Sequence, residues 1–168
     1  MNNNIVKNSI RFLGLVLIQV LILSNINFLG YINPYLYILF ILLYPFNSNR
    51  SLFLILSFLL GFSIDLFEDS GGAHAAACLV LAFVRPNLLR FSFGISYDHQ
   101  NLRLSTTPFG ARVSYIFISI LIHHFILFFL EMFSLSHIII VLKKTLFAGL
   151  FSVILIMLSL AVFSKKYR

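Results

Sequence analysis

Between Val113 and Phe133 the chain reads VSYIFISILIHHFILFFLEMF, an almost unbroken apolar run with no Asp, Lys or Arg and a single glutamate, Glu131. Runs of this kind recur along nearly the whole sequence, and they decide its solvent. A helix needs roughly 20 residues to cross a hydrocarbon layer of about 30 Å. Six crossings would take about 120 residues, leaving only short connections in a chain of 168. The residues are 60% hydrophobic and 10% charged, with 20 phenylalanines, more apolar surface than a water-soluble domain of this size can hide. The expectation is an all-α integral membrane protein, folded as a single domain over residues 1–168.

Six helices are expected, at about 12–29, 34–46, 51–67, 73–88, 113–133 and 145–163. The first follows Lys7 and Arg11 as a secretory signal would, but no small-x-small cleavage site comes after it, so it is read as a retained span ending at Ser24, Asn25 and Asn27. The second opens on Asn33 and Pro34, an N-cap and a first-turn proline. At 1.5 Å per residue it reaches only about 20 Å. It must be extended by its flanks, thin the bilayer or be shielded by its neighbours. A polar turn, Asn47 to Arg50, leads into the third helix, and Gly71 with Gly72 turns the third into the fourth, where Pro86 lies near the end.

Lysine and arginine set the orientation. With the N-terminus in the cytoplasm, Lys7, Arg11, Arg50, Arg85, Arg90, Arg103, Arg112, Lys165, Lys166 and Arg168 lie inside, and only Lys143 and Lys144 lie outside. A five-helix arrangement with a re-entrant second helix puts the later arginines outside and is disfavoured. Topology thereby accounts for the net charge of +7, and nucleic acid is not an expected partner. The largest exposed piece is the cytoplasmic loop 85–112. Within it Phe91, Phe93, Ile95 and Tyr97 alternate with Ser92, Gly94 and Ser96, a period of two that suggests a strand or extended stretch on the inner interface. Arg90, Phe91, Phe93 and Arg103 are candidate contacts for a partner or for membrane lipid, each arginine gaining about 1 kcal/mol among anionic headgroups.

The densest group of ionisable side chains lies in GFSIDLFEDSGGAHAAACLVLAFVRP, residues 61 to 86, which holds Asp65, Glu68, Asp69 and His74. Ser57, Gly61 and Asp65 are four apart and share one helical face. On the next helix Ala75, Cys78 and Ala82 form a second strip of small residues, the kind that lets membrane helices approach closely. A tight antiparallel hairpin is expected, with Asp65 within reach of His74 or of the amides of the turn. The pair could serve as a general base or proton relay. A structural clasp is the favoured reading, because no nucleophile, second buried acid or ligand triad accompanies it. Cys78 has no second thiol for a disulfide or a thiolate metal site.

Helix five carries His123 and His124. Neighbours on a helix point about 100° apart, so these two lack the i, i+4 geometry of zinc helices. Ser119 shares a face with His123, and His124 shares one with Glu131. Interhelical hydrogen bonding is expected there. No catalytic residue, metal or cofactor is expected anywhere in the chain. Glu68, Asp69 and Glu131 would form a solvent-facing acidic rim on the outer side, beside Lys143 and Lys144.

The run Gly61 to Leu66, the glycine turn, and His74 and Ala75 opening a small-residue helix resemble the central signature of the rod shape-determining MreD family. AHAAACLVLAFVRP (Ala73 to Pro86), the tandem histidines and LEMF (Leu130 to Phe133) are similar to one bacterial branch of that family, and length and helix count agree across essentially the whole chain. The resemblance implies a non-catalytic inner-membrane component of the elongation machinery. Its implied partners are MreC, the MreB filament, the RodA glycosyltransferase and a penicillin-binding transpeptidase. It also implies a six-helix fold similar to the substrate-binding subunits of energy-coupling-factor transporters. A ligand-capturing subunit of such a transporter is the alternative reading, with Gln19, Asp65, His74, His123 and His124 as few polar groups for that task. An intramembrane hydrolase lacks a motif.

Overall fold

The computed structural model describes residues 2–26, 33–45, 48–94, 104 and 107–164. Among the described residues all regular structure is helical: α1 (Asn2–Leu21), α2 (Ile38–Leu43), α3 (Arg50–Glu68), α4 (Ala73–Phe93), α5 (Phe109–Met132) and α6 (Ile138–Ser164), with 3₁₀ turns at Leu23–Asn25 and Leu135–His137. Five stretches among the described residues are long and apolar enough to cross a membrane: Val6–Asn25, α3, α4, α5 and Leu135–Val162. α3 packs on α4, α4 on α5 and α5 on α6, while α1 lies against α3. Their outward faces are apolar as well, with Leu13 and Leu17 of α1, Ile55 and Phe62 of α3, and Leu146, Leu150 and Ile154 of α6 all exposed. Helices that are apolar all round belong in lipid, and the chain is an all-α, multi-pass membrane protein.

The second expected helix, 34–46, is the main departure. Among its described residues only Ile38–Leu43 is helical, residues 33–36 are not, and Tyr44 leaves the helix in an extended conformation. This segment is nevertheless among the most deeply buried parts of the protein, with Tyr37, Ile38, Ile41 and Leu42 at zero exposure. It runs back alongside α1. Near its start Gln19 accepts from the Leu36 amide (2.9 Å) and donates to the Pro34 carbonyl (3.2 Å), and near its end Arg11 donates to the Leu43 carbonyl (3.4 Å).

The physical reason for so little helix is the shielding. Backbone at membrane depth must satisfy its polar groups, and a segment enclosed by protein can do so through side chains. Here the Tyr35 amide donates to Ser152 Oγ of α6 (2.9 Å), and Arg85 of α4 donates through Nη2 to the carbonyls of Leu42 (3.3 Å) and Tyr44 (2.5 Å).

Other boundaries also move. α1 starts well before residue 12 and stops at Leu21, where Asn25 Nδ2 donates to the carbonyls of Val20 and Leu21. α4 passes through Pro86 to Phe93, so Phe91 and Phe93 lie on a helix and not on an extended stretch; Ile95 and Tyr97 fall outside the described residues. The stop is Gly94, at φ +80°, whose amide donates to the Arg90 carbonyl. α6 begins at Ile138 rather than Thr145, which puts Lys143 and Lys144 within the helix. Lysine stems can lie along apolar surface while the ammonium reaches toward water, so a membrane helix tolerates them near its end.

Candidate functional site

The α3–α4 turn depends on three residues in left-handed conformation, Asp69 (φ +52°), Gly71 (+63°) and Gly72 (+94°). It folds the two helices back to back along their small faces. Ser57, Gly61 and Asp65 of α3 are buried, as are Ala75, Cys78 and Ala82 of α4. Ser57 donates to the Phe53 carbonyl one turn back (2.8 Å). Gly61 sits directly against the backbone of His74 and Ala75, where a β-carbon would lie 2.6 Å from Ala75 Cα and closer still to the His74 carbonyl.

Asp65 then closes the hairpin. Gly72, the N-cap of α4, has no side chain to satisfy the first amides, and Asp65 does this from α3. Its Oδ1 accepts from the His74 amide (2.9 Å) and Ser70 Oγ (2.5 Å), and its Oδ2 accepts from the Ala75 amide (2.8 Å). A carboxylate at a helix N-terminus also meets the positive end of the helix dipole. Asp65→Asn turns one acceptor into an amide NH₂ facing another N–H. Thermal unfolding in detergent should show a loss of about 2 kcal/mol, and an unchanged transition would mean that the carboxylate does not hold α4.

The His74 imidazole turns away from Asp65. Its Nε2 lies 3.1 Å from Glu68 Oε2 and its Nδ1 lies 2.6 Å from the Tyr37 hydroxyl. That hydroxyl is also 3.1 Å from His123 Nε2, and Cys78 Sγ is 3.7 Å from the same nitrogen. Glu68 additionally accepts from Ser24 Oγ at the end of the α1 span. Glu68 is therefore no free member of a solvent-facing rim. Its side chain is 19% exposed and held by two partners, while Asp69 and Glu131 are exposed.

His123 and His124 serve different neighbours, as their angular separation requires. His124 Nε2 lies 3.1 Å from Ser152 Oγ, and its ring meets Tyr35 edge-on at 5.2 Å. Ser119 is fully buried, and its hydroxyl has no hydrogen-bond partner among the described residues.

A second polar centre lies at the other end of α4. Arg85 is buried, donates from Nε to the Tyr115 hydroxyl (3.1 Å), and stacks its guanidinium 5.0 Å above the Phe53 ring centroid. Together with its bonds to Leu42 and Tyr44, it ties α2, α3 and α5 to α4. Charge patterning alone treats Arg85 as one more residue of the inner loop. Of the loop candidates, Arg90 and Phe91 are exposed, Phe93 tilts against Tyr115 at 5.7 Å, and Arg103 lies outside the described residues.

Gln19, already a candidate from the sequence, is joined in this polar network by Tyr35, Tyr37, Ser24 and Ser152, which stand out little in sequence. The available signal was chemical: a tyrosine in a membrane-depth run needs a partner for its hydroxyl. No group of three or more His, Cys, Asp or Glu side chains among the described residues is arranged to hold a metal ion. The Tyr37 hydroxyl itself occupies the point on which the His74 and His123 nitrogens converge. No family model, curated protein or solved structure matches the chain.

Proposed function

We propose that this chain is a non-catalytic scaffold of the bacterial cell-elongation machinery. In this reading it lies in the cytoplasmic membrane and helps maintain rod shape by linking MreC, the MreB filament and the peptidoglycan synthases. One observation carries the reading: the residues on which the MreD resemblance rests have a common structural task. Gly61 admits the backbone of His74 and Ala75, and Asp65 caps those two residues, so the motif encodes a closely packed hairpin. Side chains that build shape suit a protein that presents shape. The exposed apolar faces of α1, α3 and α6 offer single-pass partners a surface within the bilayer.

The same reading has six crossings with both termini in the cytoplasm. It is supported by the return of residues 33–45 along α1 from Gln19 to Arg11, which starts α3 at the same end as α1. Arg11, Arg50, Arg90 and Arg112 then gather at one end of the bundle, and Glu68 and Glu131 at the other. The convergence of Gln19, His74, His123 and His124 on the interior favours a second reading, a ligand-capturing subunit of an energy-coupling-factor transporter.

Mild-detergent purification separates the two. MreC should accompany the protein, and its recovery should fall when Gly61→Leu opens the hairpin. Recovery of an ATP-driven transport module or a bound vitamin in place of MreC would overturn the scaffold.

A further inference from the structure

We propose that Lys143 and the apolar face of α6 below it hold one anionic phospholipid, with the ammonium on the lipid phosphate and an acyl chain along Leu146, Phe147 and Leu150. α6 is the last helix of the bundle and packs chiefly on α5. On its outward face residues 139, 143, 146, 147 and 150 follow one another at helical spacing, and all five are exposed. Lys143 is the one cation of that set and has no hydrogen-bond or ion-pair partner among the described residues. Lys144 is only partly exposed, with its ammonium 5.6 Å from the centre of the Phe128 ring and within electrostatic range of Glu131.

Depth selects the lipid. The apolar span Leu135–Val162 runs 28 residues. At 1.5 Å per residue it reaches about 42 Å, which matches a bilayer with its headgroups, about 40–45 Å, and exceeds the hydrocarbon core of about 30 Å. Counted back from Ser164, the last residue of α6, the core's length of about 20 residues ends at Lys144. Lys143 therefore stands where hydrocarbon meets headgroups. This is the end that carries the α3–α4 turn, because Glu68 and Lys144 both lie within electrostatic range of Glu131.

A lysine at a water-filled edge would have polar neighbours. Here exposed Leu135, Ile139 and Ile140 continue beyond Lys143, and Leu142, Leu146 and Phe147 flank it. The lysine stem can lie along this surface, and the first anionic oxygens within reach of its ammonium are those of the lipid phosphate. A zwitterionic lipid brings its own cation to that phosphate, whereas a phosphatidylglycerol headgroup leaves the charge uncompensated, so the anionic lipid is attracted more strongly. Arg90 near the end of α4 and Arg112 near the start of α5 attract anionic lipid at the opposite end, and only a local probe separates the two regions.

The chain has no tryptophan, so the fluorescence of Phe147→Trp, one turn below Lys143, comes from this face alone. In phosphatidylcholine vesicles, brominated phosphatidylglycerol should quench it with an apparent affinity about fivefold that of brominated phosphatidylcholine, the ratio that roughly 1 kcal/mol per cation provides. Adding Lys143→Gln should remove that preference and Lys143→Arg should retain it, while neither changes the quenching of Phe62→Trp on the exposed face of α3. Lys143 bonds to nothing among the described residues, so its replacement leaves folding intact. Equal quenching by the two lipids in Phe147→Trp would overturn the site and leave a carboxylate on a partner's membrane helix as the counter-ion. So would a preference that persists in Lys143→Gln, or a loss of equal size in Phe62→Trp.

Discussion

Gly61→Leu should separate α3 from α4 and cost more than about 3 kcal/mol, toward the severe end of overpacking effects. The obstacle is backbone. The first carbon added at Gly61 already falls within 2.6 Å of Ala75 Cα and 2.5 Å of the His74 carbonyl carbon, and neither atom can rotate aside. Carbon atoms at rest sit about 3.5 to 4.0 Å apart, so the two helices must part by about 1 Å for alanine and by more for leucine. That shift draws the His74 and Ala75 amides away from Asp65 and opens the cap at the same moment.

Gly14 supplies the contrast, because a β-carbon there meets nothing within 4 Å. Gly14→Ala should gain up to about 1 kcal/mol from helix propensity alone, whereas Gly61→Ala should lose about 1 to 2 kcal/mol despite the same gain. Denaturation in mixed micelles followed by circular dichroism measures both. If Gly61→Ala is stabilised as Gly14→Ala is, the close-approach argument is wrong.

The hairpin was legible because its information is local. Ser57, Gly61 and Asp65 repeat at helical spacing, two glycines mark the turn, and the expected span 51–67 nearly coincides with Arg50–Glu68. Expected span 113–133 likewise overlaps nearly all of α5, since a long apolar run in lipid has little choice but helix.

Residues 33–45 were not legible for the opposite reason. YLYILFILLY is apolar on every side and carries no usable period. The groups that let it abandon helical bonding, Gln19, Arg85 and Ser152, are far away in sequence. Arg85 was misplaced because positive-inside counting reads charge near a span end and cannot see a guanidinium folded inward. Phe91 and Phe93 satisfied a period of two by lying on opposite sides of a helix, one exposed and one against Tyr115. The polar series through Tyr37 was hidden because each member comes from a different element, and only the packing of α4 and α5 around the buried segment brings them together.

Arg85→Ala should be the other large loss, about 3 to 5 kcal/mol, comparable to breaking a buried charge pair. The guanidinium donates to the carbonyls of Leu42 and Tyr44 and to the Tyr115 hydroxyl, and alanine leaves all three acceptors in an apolar interior. Bonds from charged donors contribute about 1.5 to 3 kcal/mol each. The cost of dehydrating the cation is removed with it, which keeps the net loss below their sum. Phe53 also loses the cation above its ring.

Two further variants separate charge from volume. Arg85→Lys keeps a cation but not the planar fork, so it should recover only part of the stability. Arg85→Met fills the space and offers no donor, so it should fall near alanine. The loss should also be local before it is global. Amide exchange over residues 38–44 should accelerate more than exchange in α5, because α2 is short and is held at this end by Arg85, with only one longer bond from Arg11 beside it. If Arg85→Met matched the native protein in stability and in exchange over those residues, apolar packing alone would account for the buried segment. The arginine would then be an incidental charge.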